Sequence, residues 1–132
     1  MIPSQQWTPA HPRTFTVFGE PKAKPRMTRQ DKWMKRPIVV QYRLWEDECK
    51  AVIAVPNGPL AITLKFFLPV PPSWSSKKRN SARGLPHTLK PDLDNLIKGC
   101  DGFIHNDQRI TRIVAAKYYD DGKGCRMEVE FN

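Results

Sequence analysis

The chain has 132 residues, 39% of them hydrophobic and 10% aromatic, enough apolar side chain for one globular domain and too much for a disordered one. Lysine and arginine number 22 against 13 acids, a net charge of +9 that favours a polyanionic partner such as nucleic acid. No apolar run approaches the ~20 residues that span a bilayer, and no charged segment followed by an apolar one opens the chain, so neither a membrane partner nor a secretory signal is expected.

In chain order, residues 1–13 carry three prolines and no hydrophobic period, which reads as an extended N-terminal tail ahead of a domain over 14–132. Thr14 to Phe18 alternates and predicts a first strand, closed by Gly19. Glu20 to Pro37 is a loop carrying Lys22, Lys24, Arg26, Arg29, Lys32, Lys35 and Arg36 against only Glu20 and Asp31. A helix is predicted over Ile38–Val55, with Val40 or Gln41 at the edge of a stripe made by Leu44, Trp45, Cys49, Val52 and Ile53. Pro56-Asn57-Gly58-Pro59 stops it. Leu60–Leu68 is β-rich and alternating, a second strand that Pro69, Pro71 and Pro72 end.

Residues 73–90 are again basic, with Trp74, Lys77, Lys78, Arg79, Arg83, His87 and Lys90 and no acid; part of this segment reads as a short helix. The next helix starts near Pro91, where proline and aspartate suit a first turn. Its buried stripe is Leu93, Leu96, Ile97 and Cys100, opposite a polar face of Asp94, Lys98 and Asp101. Arg109–Tyr119 is a strand, Asp120 to Gly124 a turn, and Cys125–Phe131 a strand expected to return as a hairpin. The order predicts an α+β domain, a small mixed sheet of about four strands packed with two main helices. Cys49, Cys100 and Cys125 are scattered without a CxxC, which reads as free thiols in a reducing compartment and not as a zinc site.

Lys90-Pro91-Asp92-Leu93-Asp94-Asn95-Leu96-Ile97-Lys98 is the most informative stretch. Two carboxylates stand two residues apart at a helix start, with an amide beside them and a lysine one turn on. Asp107 follows in His105-Asn106-Asp107-Gln108. Two readings of Asp92 and Asp94 stay open: helix capping with an ordinary Asp94–Lys98 pair, or ligation of a hard cation that works on phosphate. Three carboxylates meeting at one point would repel one another, and a divalent ion removes that cost. Lys98 either offsets charge on a phosphate or simply pairs with Asp94. His105 is a minor candidate for activating water. Trp33 and Trp74, inside the basic segments, either stack on unpaired bases or anchor a core.

At these residues the chain resembles the RusA family of Holliday-junction resolvases, whose hallmark is D-x-D-N-x-x-K at a helix start and a later D-x-Q-like element leading into a strand. The counterparts are Asp92-Leu93-Asp94-Asn95-Leu96-Ile97-Lys98 and Asn106-Asp107-Gln108-Arg109-Ile110. The run at 21–26, the basic segment at 73–79 and the strand ending Lys117-Tyr118-Tyr119 are also similar to RusA-type phage and prophage proteins, so the likeness extends from about residue 14 onward. The resemblance implies an endodeoxyribonuclease that needs Mg²⁺, with Mn²⁺ as a substitute, and that resolves four-way DNA junctions by paired nicks in recombination and repair. It implies metal-binding and catalytic roles for Asp92, Asp94 and Asp107, and a catalytic role for Lys98. Contacts to branched DNA would come from Lys22, Lys24, Arg26, Arg29, Lys77, Lys78, Arg79 and Lys117. It further implies a homodimer in the cytoplasm of a bacterial host, phage- or prophage-encoded. One departure stands out: Gly99 to Asn106 is shorter than the family's usual stretch between lysine and third aspartate, so either Asp107 still reaches the site or the third ligand is displaced, with Asp101 on the helix's polar face as the substitute. Two other functions fit the same residues, a non-catalytic branched-DNA-binding module and a Mg²⁺-dependent nuclease acting on other branched DNA or on RNA.

Overall fold

Four strands form one mixed sheet in the order β1-β4-β2-β3, in a computed structural model that describes residues 13–26, 36–104 and 108–132. The elements are β1 (Thr14–Phe18), α1 (Pro37–Val52), β2 (Leu60–Leu68), α2 (Ser76–Ala82), α3 (Leu93–Lys98), α4 (Asp101–Ile104), β3 (Ile110–Tyr119) and β4 (Arg126–Phe131). This is the small α+β architecture expected, and the strand spans agree with the sequence reading to within a residue. The expected tail at 1–13 lies, but for Arg13, outside the described residues, as do Arg29, Lys32, Trp33, Lys35, His105 and Asp107.

Alternation along β2 decides where the core sits. Leu60, Ile62, Leu64, Phe66 and Leu68 all face one side, where they meet Val17, Met127, Val129 and Phe131 from neighbouring strands. Trp45 and Cys49 of α1 and its C-cap residue Ile53, with Leu96, Cys100 and Ile104 from the 93–104 region, close over that face. Val70, Ala82 and Tyr119 make a second, smaller cluster, against which Trp74 packs. Trp74 is half-buried there, with the Lys78 ammonium 4.1 Å from its ring centroid.

Two expectations are corrected. The returning strand does not form a hairpin with β3. β4 pairs antiparallel with both β1 and β2, and β3 pairs parallel with the other edge of β2. The turn therefore has to carry the chain past the end of β2, and Asp120 N–H donates to Leu68 O there at 2.7 Å. Asp120 Oδ1 accepts from Gly122 and Gly124 N–H, each at 3.0 Å, with both glycines at the positive φ this tight path needs. The second correction concerns α1, which ends at Val52 and buries Val39, Tyr42, Trp45 and Cys49. Leu44 is 64% exposed. Hydropathy favours Leu44, but the buried stripe keeps Trp45 and Cys49 and adds Tyr42, whose ring is buried while its hydroxyl reaches Gly99 O at 3.5 Å.

On the sheet's other face, Arg126 ties the turn to the strands. Its guanidinium holds both Asp121 oxygens at 3.1 Å, Glu128 Oε2 at 2.9 Å and Gly124 O at 2.9 Å. It also lies 3.8 Å from the Phe67 ring centroid, and Phe67 stacks on Tyr118. Bonding to Arg126 holds the Asp121 carboxyl down at about 2, below its ordinary 3.8. A depressed carboxylate stabilises the fold above its unfolded pKa and stops doing so as pH falls through the folded one. Arg126→Met is expected to cost about 2 kcal/mol in urea unfolding at pH 7. Asp121→Asn should flatten the loss of stability that the parent shows between pH 4 and pH 2, which acid titration followed by tryptophan fluorescence will read.

Candidate active site

Because β2 and β3 are parallel, residues 69–109 must cross from one end of the sheet to the other, and this crossover carries α2, α3 and α4. Ser75 caps α2 by accepting from Lys78 N–H at 3.2 Å. Beyond α2 the chain lies along the outer edge of β3. Gly84 N–H donates to Tyr119 O at 3.1 Å, Tyr119 N–H to Leu85 O at 2.9 Å, and His87 N–H to Lys117 O at 3.1 Å. The chain then turns through the Leu89–Pro91 segment, and Asp92 stands at the N-cap of α3.

Asp92 occupies the capping position without capping: its side chain makes no hydrogen bond to the helix N–H groups. Asp92 is exposed and, with Lys90, Pro91 and Asn95, lines an open depression of about 450 Å³. Asp94 is not among the lining residues. It lies in the first turn of α3 with one carboxylate oxygen 3.8 Å from the Lys98 ammonium, both side chains mostly exposed. A loose surface pair of this kind contributes at most about 1 kcal/mol, so it leaves both groups open to other partners. Among the described residues no three His, Cys, Asp or Glu side chains form a metal-sized group. The third expected acid, Asp107, and the side chain of its substitute Asp101 fall outside the described residues. At the depression itself the described residues supply Asp92 and Asn95, whose side chains carry oxygen donors of the hard kind Mg²⁺ takes, while Asp94 lies outside it. The uncommitted Asp92 carboxylate at the depression fits such an ion.

The first basic loop is held against α3. Lys24 N–H donates to Asn95 O at 3.4 Å, and Gly99 sits so close to the Lys22 carbonyl that a β-carbon there would lie 2.3 Å from it. Lys22 and Lys24 therefore lie beside the acidic helix, although Lys22 also pairs with Glu20 at 3.0 Å. Lys77 and Lys78 are exposed on α2 and Arg79 is half-buried. Lys117 is committed elsewhere: its ammonium donates to Leu89 O at 2.5 Å and Pro91 O at 2.8 Å.

A family model for "Endodeoxyribonuclease RusA" matches residues 19–131, nearly the whole chain. The chain belongs to the RusA family. It is also similar to the "Uncharacterized protein YqaN" of Bacillus subtilis (strain 168), at 31% identity over 127 aligned positions covering 81% of this chain and 87% of that one. The match spans both basic segments and the D-x-D-N-x-x-K helix, and the RusA family is one of endodeoxyribonucleases, which makes DNA the partner. Among the described residues no helix is long and apolar enough to cross a membrane.

Sequence reasoning missed His87, which reads as one more basic-segment residue but is only 6% exposed. Its ring lies 4.6 Å from that of Tyr119, and Nδ1 is buried with no hydrogen-bond partner among the described residues. Burial first, and then the neighbouring Lys117 ammonium, push its pKa below the ordinary 6.5, against a smaller opposing bond at Leu89. A histidine lowered this way takes up protons more readily when unfolded, so its contribution is whole above pH 6.5 and shrinks as pH falls below it. His87→Phe should therefore flatten the stability profile between pH 6.5 and pH 5, measured by urea melts at half-unit steps. Gly99→Ala should lower stability by about 1–3 kcal/mol through the forced contact with Lys22 O. Fluorescence anisotropy on labelled DNA should show weaker binding in that variant, because the 20–26 loop must move off α3.

Proposed function

We propose that this RusA-family protein is a Mg²⁺-dependent, structure-selective endodeoxyribonuclease that resolves four-way DNA junctions by paired nicks, acting as a homodimer in DNA recombination and repair. The single observation that supports this most is the N-cap of α3, where the exposed Asp92 makes no capping bond and lines an open depression. Capping is the ordinary use of aspartate at that position, and it is unused here.

In this reading Asp92, Asp94 and Asp107 hold the cation, with Asn95 beside them. When bound there, a divalent cation would polarise a phosphoryl oxygen and make water acidic enough to attack at neutral pH. The chain's own groups do the rest. Lys98, loosely paired in the free protein, moves its charge onto the scissile phosphate as negative charge builds. Lys90, on the wall of the depression, holds the phosphate against Asp92. Lys22, Lys24 and Arg26 grip the backbone on one side of α3, Lys77, Lys78 and Arg79 further along it, and Arg29 in the same first loop adds to them. In-line attack leaves a 5′-phosphate and a 3′-hydroxyl that a ligase can seal. Paired nicks need two sites related by a two-fold axis, which a C2 dimer supplies most simply.

The test is a digestion panel of a synthetic four-way junction, a flap, plain duplex and an RNA hairpin, with Mg²⁺, with Mn²⁺ and with chelator. The junction should be cut fastest, and only with a divalent ion. Asp92→Asn should lower the nicking rate at least 100-fold while junction affinity in chelator stays within about twofold of the parent. Equal cutting of plain duplex would defeat the junction assignment, and an Asp92→Asn protein that nicks like the parent would defeat the metal mechanism.

A further inference from the structure

Lys117 occupies a place where a lysine is out of pattern. The parallel register sets it opposite Phe66, between Ala115 opposite Leu64 and Tyr119 opposite Leu68, on the face of β3 that looks into the core. Phe66 and Leu68 are 1% and 2% exposed. Half-buried itself, Lys117 runs its aliphatic stem along this apolar face and brings its ammonium out under the chain that precedes α3. There it donates to the carbonyls of Leu89 and Pro91. The residue after Pro91 is Asp92, so the second bond is made one residue from the acid that lines the depression.

The same short region of β3 is tied to that chain again. His87 N–H donates to the Lys117 carbonyl at 3.1 Å, and Pro86 bridges Tyr118. Backbone pairing thus ends at His87, and from Leu89 to Pro91 the Lys117 side chain continues the attachment. A strand residue anchored in a packed sheet is a rigid post, whereas a turn of three residues between two attachments is not. An ammonium is a strong donor to two carbonyls, and its charge-assisted bonds are worth more than neutral ones.

We infer that Lys117 is a positioning residue for the acidic site: it clamps the Leu89 and Pro91 carbonyls from the sheet and so fixes where the Asp92 carboxylate stands. This rests on the nuclease reading of the site for its consequence, and on the geometry alone for the clamp. It also separates Lys117 from the phosphate-binding lysines with which sequence reasoning had grouped it.

The two roles differ in what they change. Lys117→Met keeps the stem and removes the donors. As a positioning residue it should lower kcat for junction cutting about 30-fold or more, with KM and with affinity for the junction in chelator both within twofold, and with the salt dependence of binding unchanged. Lys117→Arg, which keeps donors that can reach carbonyls, should recover part of the rate. Weakened binding with a salt slope reduced by about one unit is the mark of a lost phosphate contact and would overturn the inference; so would an unchanged kcat. A measurement on the parent protein guards against a variant that fails to fold. The Lys117 ε-ammonium should give a slowly exchanging ¹H–¹⁵N signal in the DNA-free protein, and an ammonium that exchanges as fast as the exposed Lys77 would overturn the clamp. If the parent cuts no substrate while that signal is present, it is the nuclease reading that fails and not the clamp.

Discussion

Parallel pairing of β2 with β3 is the constraint from which the site follows. Two parallel neighbours cannot be joined by a tight turn, so residues 69–109 have to travel back along the sheet before β3 can begin. α2, the segment bonded to the edge of β3, and α3 all occupy that return path. The acidic motif sits in the connection and not in the sheet, but it is tied to the sheet at several points, so it combines an exposed position with a fixed one. A loop without those ties would expose the same carboxylates and hold them less well.

The ties come from every side of α3. Its buried face puts Leu96 into the core under β2, and Cys100 follows it to meet Met127. From the basic loop, Lys24 bonds to Asn95 O and the Lys22 carbonyl rests on Gly99. From α1, the Tyr42 hydroxyl reaches Gly99 O, and Glu46 lies so close to Gly102 that a β-carbon there would be 2.7 Å from its side chain. The glycines at 99 and 102 have ordinary uses in this light. They let two backbone segments come nearer than any side chain would permit, and in doing so bring positive charge from residues 20–26 alongside an acidic helix.

Charge is distributed in a way that composition does not reveal. The acids Asp121 and Glu128 are consumed by Arg126 on the face of the sheet away from α1, in a network that stabilises the turn into β4. Asp92, by contrast, is left uncommitted at the N-cap of α3. The same contrast holds for cations. Arg126 and Lys117 are spent on structure, while Lys77 and Arg26 stand exposed. Grouping lysines and arginines by their neighbours in sequence therefore mixes those that build the fold with those left exposed on the surface.

Local pattern was enough for the sequence by itself to determine the strands, the α+β class, the core-facing residues of β2, the helix start at Asp92 and the family motif, because alternation, prolines and helix-start chemistry are all written within a few residues. Three things depended on distant partners and only the tertiary structure decided them. β4 inserts beside β2 and not beside β3, since either edge satisfies the same alternating pattern. α1 turns Tyr42 inward with Val39, Trp45 and Cys49 and leaves Leu44 outward, and the Tyr42 hydroxyl finds its partner in Gly99 fifty-seven residues away. Lys117 and His87 leave the basic surface for the edge of the site, since a side chain's charge is legible in sequence, whereas the carbonyls or rings it will meet are brought to it only when the crossover folds back on the sheet.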